Sequence, residues 1–523
     1  MEEIVSPNPE KSAFVSGGNY TNSSINSSYQ LTSDVSTYSP ELYNQDLAPV
    51  AKERQKWNWV NFSTVWMGMV HNIVAYESAA ALLSQGFSVA QALAAVITAN
   101  VILVIALWFN GVAGAKYGLP FPVLIRASFG HDGAKIPILL RAFVAIFWFA
   151  VQAYAGSLAI NALLGLLIPG WNNLGHFALF GLSANVGIAF GLFWLLHAYL
   201  VSHGMERIRH FELWAGPMVI IMGLIAVGWA LSKSHGLGSL LSQPSHLSPS
   251  AFDTQFPLVV TGLIGIWATL ILNIPDFTRF AKTQRDQVIG QAIGLPITAI
   301  VFALISIITT SGALIAFGSA ISNPVTLLQH FNNPFILILG AATITIATLS
   351  VNVAANVVSP AYDLVSLFPY KLNFVKGGIL SLALGILFVP WMWFNNSATI
   401  FTVFGAIGGA LGPVAGLMLS DFYVVHRRKY SVSSFFIRNG EFLYKKGWNL
   451  RGLIAFGIGI FGAFIGLVVP SLHILYVYSW FIGIISSFIS YSLLMKVKYS
   501  QTLVLDSQEA QSLVLGVEST GDN

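Results

Sequence analysis

Twelve apolar stretches, each near or above the ~20 residues that a helix needs to cross a bilayer, run through this chain of 523 residues. Lipid offers no hydrogen-bond partners, so these stretches can cross it only as helices that satisfy their own backbone groups. With 55% hydrophobic and 9% charged residues, a water-soluble globule is excluded because it would expose too much apolar surface. The sequence therefore predicts an all-α integral membrane protein with twelve transmembrane helices. We expect the spans at residues 61–84, 88–113, 136–166, 177–199, 212–232, 257–275, 292–318, 334–358, 376–392, 398–421, 452–470 and 474–495.

The basic residues fall almost entirely into every second gap between these stretches, with Lys233 as the exception on the other side. Loops rich in Lys and Arg stay in the cytoplasm, so both termini and the even-numbered gaps are predicted to be cytoplasmic. The formal net charge of +4 follows from this asymmetry, and we do not read it as a sign of nucleic-acid binding. Without cysteine the chain can form neither a disulfide nor a Cys-ligated metal site.

Polar segments flank the apolar region at both ends. Residues 1–50 are rich in Ser, Asn and Tyr, and residues 497–523 are also polar, so both are predicted to be disordered cytoplasmic tails. The stretch between them, residues 51–496, is predicted to form a single twelve-helix domain embedded in the lipid bilayer.

Residues that interrupt a helix recur at matching positions of the first and sixth spans. Residues 68–72 place a glycine, an imidazole and an amide in the first span, and residues 261–267 place two glycines and an indole in the sixth. These spans begin two predicted halves, 61–232 and 257–421, with residues 452–495 left as two extra helices. Broken helices at matching positions indicate an inverted-repeat transporter with its site at the bilayer midplane. Ordinary helix packing is the alternative for either glycine cluster alone.

Polar and aromatic side chains inside the spans suggest a binding site. In the third span, Trp148 and Gln152 lie four residues apart and therefore on one helix face. In the eighth span a polar stripe at spacings of three and four consists of Thr345, Thr348, Asn352, Asn356 and Ser359. An aromatic surface beside an amide suits a flat heterocycle. Hydrogen bonds that merely join helices are the alternative.

Four stretches resemble the signature motifs of the nucleobase:cation symporter-1 family. They are GLPFPVLIRASFG at 118–130, IPDFTRF at 274–280, NVAANVVSPAYD at 352–363 and GPVAGLMLSDF at 412–422. The similarity runs from about residue 50 to 496 and is strongest to the bacterial allantoin permeases. It implies a leucine-transporter-type fold in which helices 1–5 and 6–10 form inverted repeats, helices 1 and 6 are broken, and access to a central site alternates.

The resemblance also implies which residues bind the substrate: Asn72, Trp148, Gln152, Trp267 and Asn356. The two indoles would sandwich a planar ring, and the amides would bond its alternating N–H and C=O groups. A neutral pocket suits an uncharged ring because an unpaired buried charge is costly. We therefore expect import of allantoin or a related neutral hydantoin or nucleobase. A uracil or hydantoin permease of the same family, coupled to sodium, is the alternative.

The family's sodium site, where present, uses backbone carbonyls and two adjacent hydroxyls. By resemblance the carbonyls would belong to Gly68, His71 and Ala347, and the hydroxyl pair maps to Ser350 and Val351. Valine supplies no oxygen, so one ligand is missing. A proton, or a weakly held Na+, is therefore the predicted coupling ion, and no other cofactor is expected.

Ionisable groups in or beside the spans offer routes for that proton. Glu77 lies in the outer half of the first span, where reversible protonation coupled to gating competes with simple access to water. The His71 side chain could relay protons or stay neutral against a neighbouring helix. Asp276 and Asp421 at helix ends could pair with Arg279 or with residues 427–429.

Two other functional classes remain open on the sequence. A channel would not accumulate solute against a gradient. A membrane-embedded enzyme would need a nucleophile with a base, or a metal cluster, and no such spacing of Ser, His, Asp or Glu occurs within the predicted spans. A transporter rather than an enzyme is therefore predicted, with no obligate protein partner evident.

Overall fold

The computed structural model describes residues 38–496 except 72, 235, 243, 320, 322, 332 and 393–396. In this part of the chain eleven helices are long and apolar enough to cross a membrane, and one further span consists of two shorter helices. The predicted architecture of twelve helical spans is confirmed. In chain order the spans are Trp59–Val70 with Ile73–Ser84, then Val89–Tyr117, Lys135–Leu167, Ala184–Ser202, Gly204–Lys233, Pro249–Asn273, Gln284–Phe317, Pro334–Leu367, Phe374–Ile386, Ser397–Ser420, Leu450–Val468 and Ser479–Lys496.

The fourth span begins later than predicted. Its expected first residues form a short antiparallel hairpin that pairs Ala178 with Ser183 and Leu179 with Leu182. Gly181 at the tip has a φ of 77°, a conformation that glycine adopts without steric cost. The apolar side chains of this hairpin therefore belong to a surface loop and not to the helix that follows.

The first span is interrupted where the sequence predicts it. The first helix ends at Val70, and His71 leaves the helical region with φ −82° and ψ 81° before a second helix starts at Ile73. The imidazole Nδ1 contacts the carbonyl oxygen of Met67, one of the last-turn carbonyls that a helix end leaves without a partner. The predicted break is therefore present, while Asn72 itself lies outside the described residues.

The sixth span is continuous, so the break predicted at residues 261–267 is wrong. The helix Pro249–Asn273 runs through Gly262 and Trp267 and stops only near the end of the bundle, before a short helix at Pro275–Thr278. A methyl group on Gly408 of the tenth span would lie 3.4 Å from the Cα of Gly265. The glycine at 265 therefore serves close approach between two helices.

Residues 38–57, which we call the N-terminal segment, pack across one end of the bundle. The prediction that residues up to 50 form a disordered tail is wrong for residues 38–50, because Tyr38 and Leu47 are buried. The backbone N–H of Val50 donates to the carbonyl of Gly118 at 2.9 Å. That end also carries the loops at 118–134, 274–283, 368–373 and 426–449, and we call it the basic face.

Glycines bring the last spans close together. A methyl group on Gly416 of the tenth span would overlap the Ser487 hydroxyl and the Ile484 carbonyl of the twelfth. In contrast, a methyl group on Gly457 of the eleventh span would meet no atom within 4 Å. Small residues that let helix backbones approach are typical of packed membrane helices.

We expect Gly416→Ala to destabilise the protein by about 1–3 kcal/mol, because the added methyl must displace backbone atoms of a neighbouring helix. The measurement is the thermal unfolding midpoint of the purified protein in detergent. Gly457→Ala is the matched control and should leave the midpoint unchanged. Equal midpoints for the two variants would contradict the packing of the tenth span on the twelfth.

Candidate functional site at the centre of the bundle

The third span presents the first two candidate residues to the protein interior. Trp148 and Gln152 lie one helical turn apart, and each side chain is 4% exposed. The third span packs along the eighth, and the two are joined by a hydrogen bond of 3.2 Å from Asn352 Nδ2 to the Phe149 carbonyl. The face that carries Trp148 and Gln152 is therefore turned into the bundle and not toward lipid.

A chain of buried polar groups holds Asn356 on the eighth span. Its Nδ2 donates to Asn352 Oδ1 at 2.9 Å, and Asn352 Nδ2 lies 3.1 Å from His197 Nε2 in the fourth span. His197 Nδ1 lies 2.8 Å from the Phe193 carbonyl, which can only accept. A neutral imidazole with its proton on Nδ1 satisfies both contacts, because Nε2 then accepts from Asn352.

This chain determines how the Asn356 amide can be used. One of its N–H groups is committed to Asn352, so the second N–H and the carbonyl oxygen can serve a ligand. Sequence reasoning selected Asn352 and Asn356 but missed His197. A lone histidine in an otherwise apolar fourth span was the signal that could have identified it, because a buried imidazole needs a partner.

The sixth span contributes Trp267, which is 8% exposed. Its ring packs edge-to-face on Trp66 of the first span, with centroids 6.0 Å apart and an interplanar angle of 72°. One and a half turns further along, Asn273 Nδ2 donates to the Ser359 hydroxyl and joins the sixth span to the eighth. The sixth span also packs against the third.

Four of the five predicted binding residues therefore lie on three spans that contact one another: Trp148, Gln152, Trp267 and Asn356. All four are more than nine-tenths buried, so the site is closed to solvent. The fifth residue, Asn72, falls outside the described residues.

The candidate ion-site residues are buried on two helices that pack together. Gly68 and His71 end the first helix of the first span, which contacts the eighth span carrying Ala347 and Ser350. Val351, which occupies the second hydroxyl position, is 2% exposed and offers only an apolar side chain. The His71 ring packs edge-to-face against the Phe302 ring of the seventh span, with centroids 4.6 Å apart.

Glu77 is partly buried and bonded to a neighbour. Asn323 donates its Nδ2 to the Glu77 carboxyl group, and its Oδ1 accepts from the backbone N–H groups that begin the helix Pro324–Gln329. The side chain thus links the second half of the first span to the loop before the eighth span.

The two aspartates at the basic face have partners other than those predicted. Asp276 accepts from the Phe121 backbone N–H at 2.8 Å, and burial raises the pKa of its carboxyl. Arg279 makes no ion pair with it but donates to the carbonyls of Asp46 and Ala48 at 3.1 and 2.6 Å. The predicted ion pair between Asp276 and Arg279 is therefore wrong.

Asp421 likewise does not pair with residues 427–429. It accepts from the hydroxyls of Tyr430 and Tyr491, each at 2.6 Å, and lies 3.1 Å from His426 Nδ1. Burial alone would lower the pKa of His426, but the Asp421 and Glu441 carboxylates outweigh it and raise the pKa to about 10. His426 is therefore charged at neutral pH.

A buried ion pair that sequence reasoning missed joins the third span to the eighth. Arg141 Nη1 lies 3.0 Å from Asp363 Oδ2, and both side chains are fully buried. The two residues are 222 positions apart in the chain, so no local pattern reveals the pair.

Arg141→Met should destabilise the protein by about 3–5 kcal/mol, because it leaves Asp363 as an unpaired buried charge. The double variant Arg141→Met with Asp363→Leu should recover most of that loss. Thermal unfolding of the purified variants provides the measurement. Lys135→Gln, which removes only an exposed pair with Asp132, is the control and should change stability by less than about 1 kcal/mol. A double variant less stable than Arg141→Met would contradict a paired role.

Comparison with known proteins supplies the family. A family model described as a permease for cytosine/purines, uracil, thiamine and allantoin matches residues 49–483. An allantoin permease of Bacillus subtilis is 45% identical over 90% of this chain and 96% of its own length. A purine-uracil permease of Arabidopsis thaliana is 37% identical over 82% of this chain and 72% of its own.

A solved structure agrees with these relatives. It is that of a nucleobase-cation-symport-1 family transporter in a closed conformation with bromovinylhydantoin bound. The TM-score is 0.74 at 25% identity, over 87% of this chain and 95% of that one. The predicted leucine-transporter-type fold is thereby confirmed, apart from the break in the sixth span, and the class is that of permeases and not of enzymes. The chain therefore belongs to the nucleobase:cation symporter-1 family of membrane permeases.

Proposed function

We propose that this chain imports allantoin, or a closely related neutral hydantoin or nucleobase, by cation-coupled alternating access. The observation that carries the proposal is the enclosed group of two indoles and two amides on the third, sixth and eighth spans. The 45% identity to an allantoin permease selects the substrate within the family. Uracil and hydantoins present the same edge of N–H and C=O groups and are the alternative substrates.

The chemistry of the site matches an uncharged ring. Trp148 and Trp267 stack on its faces, and stacking contributes about 0.5–1.5 kcal/mol beyond the burial of apolar area. Gln152 and Asn356 bond the ring edge, and the third amide, Asn72, does so from the broken first span. Because His197 and Asn352 commit one N–H of Asn356, its carbonyl oxygen and second N–H meet the ligand as a paired acceptor and donor.

Membership of the family supports a transport cycle built on two inverted repeats. Residues 61–232 and 257–421 are the two inverted repeats, and residues 452–495 add two helices outside them. The protein lies in the cell membrane. By the positive-inside rule, the basic face and both termini are on the cytoplasmic side. The break at His71 lets the two halves of the first span move separately as access alternates.

We propose that a proton drives the uptake. Val351 supports this choice, because it removes one oxygen from the candidate sodium site formed by Gly68, His71, Ala347 and Ser350. Glu77 is the candidate proton carrier, since its bond to Asn323 ties the outer half of the first span to a neighbouring loop. Protonation of the carboxylate would weaken this acceptor and release the link.

Trp148→Ala and Asn356→Ala should each weaken the apparent affinity for allantoin at least tenfold, which corresponds to about 1.4 kcal/mol. The first variant removes a stacking face and the second an edge contact. The measurement is competition of unlabelled allantoin, hydantoin and uracil against labelled allantoin uptake in proteoliposomes. Preference for uracil over allantoin would select the alternative substrate.

Trp214→Ala is the matched control for the indole, because this side chain is 50% exposed on the outside of the fifth span. It should leave the apparent affinity unchanged. If Trp148→Ala and Asn356→Ala reach the membrane folded and keep the affinity of the unaltered protein, the proposed pocket is wrong.

A pH gradient that is acidic outside and alkaline inside should drive accumulation of labelled allantoin without sodium. Glu77→Gln should reduce this accumulation at least fivefold while exchange of internal for external substrate continues, because exchange needs no net proton movement. Both are measured in proteoliposomes with defined internal and external buffers. Uptake that follows a sodium gradient and ignores the pH gradient would overturn proton coupling, and saturable uptake would exclude a channel.

A further inference from the structure

The basic face contains a cavity of about 190 Å³ that is separate from the central site. It lies between the N-terminal segment, the loop before the third span, the loop after the eighth span and the loop before the eleventh. The residues that matter to its charge are Glu41, Arg126, Asp132, Lys135, Lys371 and Arg438.

Arg126 supplies a buried positive charge without a counter-charge. Its side chain is 2% exposed, and its guanidinium donates to the carbonyls of Leu42 and Phe435 at 2.8 Å and to the Ser366 hydroxyl at 3.1 Å. All three partners are neutral, and no carboxylate within the described ranges forms an ion pair with it. Burial lowers the pKa of Arg126 to about 10, so the group stays charged at neutral pH.

The rim adds more positive than negative charge. Asp132 pairs with Lys135 and Arg438, each at 2.8 Å, and Glu41 lies 3.7 Å from Arg438. Lys371 forms no ion pair with a carboxylate of the described chain. Four cations therefore face two carboxylates around the cavity. His131, which also lines it, adds no charge, because burial first and the nearby Arg126 second lower its pKa to about 4.

A buried charge without a partner is costly, and an anion in the cavity would remove that cost. Guanidinium and ammonium groups together match the geometry and charge of a phosphate group. We propose that this cavity binds a phosphate group, with Arg126 as the buried anchor and Lys371 as the rim contact.

The surroundings of the cavity favour a lipid headgroup as the source of that phosphate. Phe368 and Tyr370 on its rim are 49% and 69% exposed, and Phe143 on the neighbouring third span is 60% exposed. Exposed aromatic side chains beside basic residues are typical of the level of lipid headgroups. Free phosphate would use the same charges without these rings.

The test uses the full-length purified protein with phosphatidylglycerol, phosphatidylcholine and inorganic phosphate as probes. Native mass spectrometry and thermal unfolding report binding. Phosphatidylglycerol should bind at least fivefold more tightly than phosphatidylcholine and raise the unfolding midpoint. Lys371→Gln should weaken this binding at least threefold, whereas Lys376→Gln, an exposed lysine five residues away that does not line the cavity, should not.

The arms of the experiment separate the two sources. Stabilisation by phosphatidylglycerol alone identifies a lipid, and equal stabilisation by millimolar inorganic phosphate, lost in Lys371→Gln, identifies free phosphate. Arg126→Gln should abolish the stabilisation by the lipid or by inorganic phosphate. If the Arg126→Gln protein fails to fold, Lys371→Gln serves as the test. Failure of all three probes, or unchanged binding by Lys371→Gln, would overturn the proposal.

Discussion

Every backbone N–H and C=O group inside a bilayer must find a partner within the protein, and the architecture of this chain follows from that constraint. Helices satisfy the requirement along eleven spans. The first span leaves helical geometry at His71. There the imidazole Nδ1 of His71 contacts the carbonyl oxygen of Met67, one of the groups that the end of the helix leaves without a backbone partner. A break is tolerated here because the seventh and eighth spans pack around it and keep it from lipid.

Polar side chains inside the bundle obey the same rule. The amides of Asn352 and Asn356 form a hydrogen-bonded chain with His197, in which Asn356 donates to Asn352 and Asn352 donates to His197 and to the Phe149 carbonyl. The ion pair of Arg141 and Asp363 joins the same two helices nearer the basic face. The third and eighth spans thus hold both a buried ion pair and the candidate amides Gln152, Asn352 and Asn356.

The sequence allowed the spans, the break in the first helix and the burial of Trp148, Gln152, Trp267 and Asn356 to be predicted, because apolar length and helical spacing are local properties. It failed where a residue's role depends on a distant partner. Gly265 looked like a helix breaker, yet it faces Gly408 of another span. His197 stood out in an apolar helix, but its partner Asn352 lies on another span, so its role was missed. Residues 38–50 looked like a tail because many of their contacts are hydrogen bonds made by their backbone groups, to distant loops and to the Arg279 side chain, and hydropathy does not register such bonds.

The N-terminal segment also sets a limit on the movement of the basic face. The backbone N–H of Val50 donates to the carbonyl of Gly118, in the loop that follows the second span. The backbone N–H of Trp57 donates to the carbonyl of Phe280, in the loop that follows the sixth. The seven residues from one attachment to the other can stretch to at most about 25 Å when fully extended. While both hydrogen bonds hold, the distance between the two loops cannot exceed this length. Any opening of the basic face must therefore keep these two loops within that distance of each other, or break one of the bonds.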